Sequence, residues 1–456
     1  MSVRRLVMSG LEPGPALGLA AGAMLAALGR RAVVRPVMVG LDVPLWRLLS
    51  AAEAHPPRVL DPALHSEPLA GELYDRWADD VDLTLLVAVA PVLDRWQGVA
   101  GSRAVDIALR FDAPLVLVVD ARGRGPTAAA AAVGVRALAP RVETAGVIVV
   151  GGDDSGPGGL GALVRDEVGL PVLGWIPPQL SEQFAREAVA PGGPRQLGPR
   201  PVAGSGQRLC REAATYLQTD ELLAAASRSG YLPAPGRRVF APESVAAGLR
   251  LAVGWGPPLQ PLALEDFDLL QAMGLELAPL HLARDRELPP HVSGLLLCGL
   301  LDERRLGDFA ANKGLHETLG ALVDDGLPTL AMGGGALLLL RRLADSRGRS
   351  HDLAGVLPAE AEVSEWYDRP RYLSVEASSD NPFDEGTGLL RELFDLEFLV
   401  LERETPAYEV CGAGEAQGEG FVAGRCVATT LCPSLPARPL LARRLAEAMR
   451  AAGPRP

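Results

Sequence analysis

Short runs of β-branched and aliphatic residues recur through the first half of the chain, separated by stretches where Ala, Leu and Arg suit a helix. Residues 6–8, 33–39, 83–89, 115–119, 147–150 and 172–175 read as strands. Apolar runs of this kind, each followed by a loop and mostly by a helix-compatible segment, indicate a parallel sheet covered by helices. Residues 16–28 are apolar and follow Arg4 and Arg5, yet glycines interrupt them and no convincing cleavage site follows. The stretch is too short to span a bilayer, and a first helix after a first strand fits it better. Residues 190–206, crowded with Pro and Gly, read as a loop, and 209–227 as a helix. Residues 230–242, with Pro233, Pro235 and Pro242, read as an interdomain linker.

The alternation then restarts. Residues 251–253, 276–279, 294–297 and 329–331 look like strands. No proline interrupts 306–324, where Phe309, Leu315, Leu319, Leu322 and Val323 support a helix. Residues 372–376, 398–401, 408–410 and 420–427 have a more antiparallel character, and 437–451 close the chain as a helix with arginines towards its end. The expected fold class is α/β in two tandem domains, residues 1–230 and 249–456, with 231–248 between them.

Composition changes this picture in three places. A chain of 456 residues is too long for one core, which agrees with two domains. A net charge of −12 argues against nonspecific nucleic-acid binding, which needs clustered cations. Five cysteines (Cys210, Cys298, Cys411, Cys426, Cys432) form no CxxC pair, so zinc is unexpected and the thiols read as reduced and cytosolic. No membrane segment is expected.

Two absences bear on chemistry. Of 44 Lys and Arg residues only Lys313 is lysine, and none of the six histidines follows His351. Guanidinium groups cannot serve as Schiff-base amines or as proton-accepting bases near neutral pH.

Several segments share an order and spacing. Residues 34–42 (VRPVMVGLD), 111–120 (FDAPLVLVVD), 145–148 (AGVI), 170–174 (LPVLG) and 310–312 (AAN) together resemble cobyrinate a,c-diamide synthases and their siroheme-type relatives. That resemblance runs over almost the whole chain. It implies an N-terminal P-loop-like, ATP-dependent amide-forming domain and a C-terminal class I glutamine amidotransferase-like domain.

The positions where the family keeps its chemistry have changed. Residues 9–19 (SGLEPGPALGL) correspond to its phosphate loop, with Gly10 and Gly14 retained. Leu17 falls where the family lysine sits, and Gly18 and Leu19 where its Thr/Ser magnesium ligand would be. Pro13 and Pro15 remove two amide donors and Glu12 adds negative charge, so the loop should repel a triphosphate. Met38 replaces another family lysine, and Val87 an expected magnesium-handling glutamate. Asp42 and Asp120 match family positions; each suits a metal or the capping of the next helix, and capping is the favoured reading.

Glutamine hydrolysis needs a thiolate on a sharp elbow, an activating histidine and oxyanion donors. Residues 328–337 (PTLAMGGGAL) resemble that elbow, but Gly333 stands at the nucleophile position, followed by Gly334. Residues 298–303 (CGLLDE) correspond to the oxyanion-side loop; Gly299 remains while two glycines have gone. Residues 427–434 (VATTLCPS) match the strand carrying the family's histidine, with Cys432 and Ser434 in its place. Cys432 and Cys298 read as buried and inert rather than as new nucleophiles. Asp79, Asp80 and Asp82 read as a solvated edge, and residues 151–161 with Asp153 and Asp154 as a mobile loop. Trp366 and Tyr367 with Arg369 and Arg371 suit either packing or a planar acidic ligand, packing being favoured.

The expectation is a catalytically inactive relative acting as a structural or regulatory partner, of an active paralogue or of itself as a homodimer. No catalytic residue, metal or cofactor is expected. The alternatives are an ATP-independent binding module for a carboxylated tetrapyrrole, and an active ATP- and Mg-dependent amide ligase.

Overall fold

The computed structural model describes residues 3–12, 14–52, 57–124, 127–152, 160–188, 205–236, 238–240, 245–402, 405–412 and 417–455. They fall into two compact units, the first ending at Gly236 and the second comprising the described residues beyond it. Pro13, Asp153, Asp154 and Pro242 lie outside the described residues, as does most of the 190–206 loop.

The first unit contains β1 (Arg4–Gly10), β2 (Val34–Val39), β3 (Arg58–Leu60), β4 (Leu83–Ala88), β5 (Leu115–Asp120), β6 (Thr144–Val150) and β7 (Val172–Ile176). Their order is β3-β2-β4-β1-β5-β6-β7, with every pairing parallel. All six residues of β4 are buried, so both faces of the strand need cover. Helices supply it: α1 (Pro15–Leu28), α2 (Val43–Ala52), α3 (Glu67–Ala78), α4 (Ala104–Arg110), α5 (Thr127–Leu138), α6 (Leu160–Leu163), α7 (Pro178–Ala188), α8 (Ser205–Ala213) and α9 (Thr219–Ala226). Strand β3 was not anticipated from sequence, nor were two helices, α2 and α3, between β2 and β4.

The helix expected over 209–227 is two helices. Leu217 bridges to Gly174, and the Gln218 N–H donates to the Leu173 carbonyl (2.8 Å), so the edge of β7 takes the residues between them. The start of the expected linker is held in the first unit. The Gly230 N–H donates to the Asp112 carbonyl (2.9 Å), and its own carbonyl accepts from the fully buried Arg5. Gly161 lies in α6 rather than in a loop.

In the second unit, β8 (Arg250–Trp255), β9 (Leu259–Gln260), β10 (Glu276–His281), β11 (Gly294–Leu301) and β12 (Thr329–Gly333) precede β13 (Leu340–Ala344), β14 (Ser350–Asp352) and β15 (Leu357–Ala377). Then come β16 (Thr387–Leu401), β17 (Tyr408–Val410), β18 (Gln417–Glu419), β19 (Phe421–Ala423) and β20 (Cys426–Thr429). The main sheet runs β10-β8-β11-β12-β20-β19, with β9 beside β11. A second sheet, β14-β13-β15-β17-β18 with β16 beside β15, is mostly antiparallel. Its helices are α10 (Leu264–Ala272), α11 (Leu306–Ala310), α12 (Lys313–Asp324), α13 (Gly334–Leu337) and α14 (Pro439–Ala452).

Two expectations need correction. The helix expected over 306–324 breaks at Asn312, whose side-chain amide donates to the Leu282 (3.1 Å) and Asp285 (2.7 Å) carbonyls. The segment 420–427 is not simply antiparallel: β19 and β20 form a hairpin, but β20 joins the main sheet parallel to β12. No described helix is long and apolar enough to cross a membrane.

Candidate functional site

In open parallel sheets ligands bind beyond the carboxyl ends of the strands. At the end of β1, the Leu11 N–H donates to the Val118 carbonyl (3.0 Å) and the Val92 N–H to the Gly10 carbonyl (3.0 Å). The Ser9 hydroxyl donates to the Ala90 carbonyl (2.9 Å), so one main-chain and one side-chain bond tie β1 to the loop after β4. Glu12 pairs with Arg124 above this turn. Gly14 precedes α1, with Pro15 in its first turn and no side-chain cap. Leu17 is buried on α1, and a Cβ on Gly18 would touch Leu48 of α2 (3.3 Å). Both positions therefore belong to helix packing.

Met8, Val87 and Met38 are register neighbours across β1, β4 and β2, and all three are fully buried. An apolar row thus occupies the positions matched to Met38 and Val87. Asp42 caps α2, its Oδ1 accepting from the Leu45 N–H (3.0 Å). Asp120 is engaged by Arg122, whose Nε donates to Oδ1 (2.9 Å); these bonds raise the Arg122 guanidinium above its ordinary value. Among the described residues no group of His, Cys, Asp or Glu is arranged to hold a metal.

The elbow in the second unit keeps its shape. Gly333 ends β12 at φ 58° and ψ −126°, backbone that disfavours side chains, and Gly334 begins α13. A Cβ on Gly333 would lie 2.5 Å from the Cys432 sulfur, so that thiol fills the place a nucleophile would need. Gly299, at φ 136°, is held against the chain's own backbone: a Cβ there would overlap the Gln260 carbonyl. That carbonyl arrives on β9, which pairs antiparallel with Leu300 and Leu301, so most of the segment expected as the oxyanion-side loop is the end of β11.

What remains is a cavity of about 20 Å³, lined by Asp266, Cys298, Gly299, Met332, Arg391 and Cys432, among others. It has room for roughly one water. Burial pushes the Cys432 thiol up to about 12 and Cys298 well above its ordinary value, so neither is a thiolate near neutral pH. Sequence reasoning missed Asp266 and Arg391. The available signal was periodicity: Asp266 lies three and four residues before Leu269 and Leu270, on the buried face of α10.

Elsewhere, the Trp366 indole donates to Glu303 (3.1 Å) and its ring packs edge-on against Phe394 (5.0 Å between centroids). Trp366 is thus part of the packing, and Arg371 stacks on the Tyr367 ring (4.0 Å). The Asp82 carboxylate accepts from the Val33 N–H (2.8 Å) and serves the strand entrance.

A parallel α/β unit is followed by one carrying a strand–glycine–helix elbow, and relatives among known proteins match over most of the chain. Residues 259–380 match a CobB/CobQ-like glutamine amidotransferase domain. A cobyrinate a,c-diamide synthase of Dehalococcoides mccartyi is 25% identical, covering 93% of both chains. Hydrogenobyrinate a,c-diamide synthases of Streptomyces coelicolor (28% identical, 98% of both chains) and Pseudomonas aeruginosa (29%, 91% of this chain and 90% of the relative) are similar throughout. A solved glutamine amidotransferase structure overlaps 44% of this chain and 100% of its own, at 17% identity and a TM-score of 0.33. The chain is a homologue of the cobyrinate and hydrogenobyrinate a,c-diamide synthases.

Proposed function

We propose that this chain is a noncatalytic member of that group, acting as a structural or regulatory partner of an active paralogue or of a second copy of itself. Gly333 carries the reading: the elbow position bears no nucleophile, and the Cys432 thiol occupies the space in front of it. Buried Leu17, Met38 and Val87 support it, as do Asp42 and Asp120, both engaged by neighbouring groups. Gly10, Gly14, Gly299 and Gly334 are then retained for backbone geometry alone, and neither ATP nor Mg is needed.

The test is to incubate the chain with glutamine, ATP, Mg and cobyrinate or hydrogenobyrinate. The expected result is no glutamate or ADP above the blank and no change in substrate mass; conversion overturns the proposal. Affinity capture from the source cell should recover a defined partner, or a second copy. A monomer that captures nothing counts against the partner role.

An active amide ligase is the second reading, favoured by similarity over 93% of both this chain and the D. mccartyi synthase. Replacing glutamine with ammonium in the same incubation isolates it, since only the amide-forming half would then be required. Absorbance titration with the same macrocycles tests whether binding alone is retained.

A further inference from the structure

Strand β16 pairs with β15 alone, and among the described residues its outer edge is bridged only where Arg391 meets Cys432. There the Arg391 N–H donates to the Cys432 carbonyl (3.3 Å), away from β15. N–H groups alternate in direction along a strand, so those of Asp395 and Glu397 turn to the same side, which no described strand occupies. Asp395 and Glu397 are exposed, while Leu396 and Phe398 are half-buried. Unpaired main-chain donors and acceptors on an exposed edge are a template for another strand.

Charge along this edge is unbalanced. Glu397 stands directly opposite Glu362 of β15, and Asp395 opposite Glu365. Like charges facing each other across two strands weaken the pairing. No described cation pairs with Asp395, Glu397 or Glu362, and Glu365 meets Arg371 only at 3.9 Å, with both side chains more than half exposed. Beside them opens a groove of about 530 Å³, lined by Glu362, Glu365, Glu397 and Trp366 among others, with Arg347 the one cation in its lining. The remaining acid of the lining, Asp345, is engaged by Arg349.

We propose that the outer edge of β16 docks an extended basic segment of a protein partner, added to the sheet as a further strand; this rests on the partner role proposed above. Two residues of the incoming segment, two positions apart, stand opposite Asp395 and Glu397 and point to one face. Lysine or arginine at those positions sets attraction against the repulsion between β15 and β16. The groove beside Glu397 gives their long side chains room. The position between them lies beside half-buried Leu396 and takes an apolar side chain, and Leu399, 57% exposed, extends the apolar contact. Charge selects against a second copy as the occupant, because its own edge brings acidic side chains at 395 and 397.

A fluorescein-labelled peptide of about ten residues, alternating Lys and Val, tests the edge by fluorescence polarisation with the full chain at about 50 mM salt. Saturable binding is expected. The double variant Asp395→Lys/Glu397→Lys should bind that peptide about tenfold more weakly or worse, and should instead take up the Glu–Val counterpart. The Lys–Val peptide carrying N-methyl groups on all its central residues should not bind, since its main chain can no longer pair. No saturable binding, equal binding by the variant, or equal binding of the N-methylated peptide overturns the proposal. If the variant fails to fold, hydrogen exchange on the unaltered chain decides. The amides of Asp395 and Glu397 should gain protection when the Lys–Val peptide is added, and unchanged protection there overturns the proposal. Affinity capture separates this inference from the partner role. A partner held equally by the variant overturns the edge and leaves that role standing; if neither chain captures anything, that role falls and the peptide measurement still decides the edge.

Discussion

At the carboxyl end of β1 the main chain closes the site, through the Leu11 N–H on Val118 and the Val92 N–H on Gly10. At the elbow after β12 the backbone keeps its bend, and closure comes from the Cys432 thiol together with β9. Closure by main chain is indifferent to any one side chain, since a carbonyl lies wherever the fold puts it. Closure by a thiol rests on one residue and can be relieved by one substitution. The first unit should therefore resist repair by restoring charge, while the second should show strong coupling between a few positions.

The sharpest break comes from Gly299→Ala. The added methyl meets the Gln260 carbonyl at a backbone angle that disfavours side chains, and neither strand can yield without breaking the β9 pairing. Chemical denaturation should show a loss of about 3–5 kcal/mol. A loss under about 1 kcal/mol would mean that β9 does not seal the end of β11.

Gly333→Cys comes next, with a loss of about 2–4 kcal/mol from backbone strain and overlap with the Cys432 sulfur. Adding Cys432→Ala should return about 1 kcal/mol or more as a coupling term in a double-mutant cycle. Additive losses would remove Cys432 as the plug. Restoring the thiol should not by itself restore glutamine hydrolysis, because no histidine follows His351.

Leu17→Lys places a cation at the family's lysine position. It should cost about 2 kcal/mol in thermal unfolding by replacing a buried leucine of α1 with a charged side chain. A fluorescent ATP analogue should still fail to bind; recovery of binding would show that the loop lacked only charge. Glu12→Gln should do least. It breaks a half-exposed ion pair with Arg124, and stability should change by under about 0.5 kcal/mol in the same unfolding measurement.

The parallel sheet was legible because β2, β4, β5, β6 and β7 carry mostly apolar runs and β1 an apolar centre of Leu6, Val7 and Met8. β3 was not, since three residues leave no pattern. Gly333 at the elbow could be placed from its neighbours in the chain. The Cys432 sulfur against it could not, because that contact joins residues far apart along the chain. The helix expected over 306–324 failed for a related reason: apolar spacing persists across Asn312, whereas the side-chain bonds that end α11 lead back to residues 282 and 285.

Residue identities alone determined which side chains are absent. One lysine, no histidine after residue 351 and glycine at the elbow are properties of the chain in any conformation. Only the tertiary structure decided what stands in the emptied places: a β9 carbonyl against Gly299, a neutral thiol against Gly333, and Asp266 beside Arg391. Those outcomes depend on how β11, β12, β16 and α10 converge. Burial and neighbouring charge, which set the state of each group, are properties of that convergence rather than of any local run of residues.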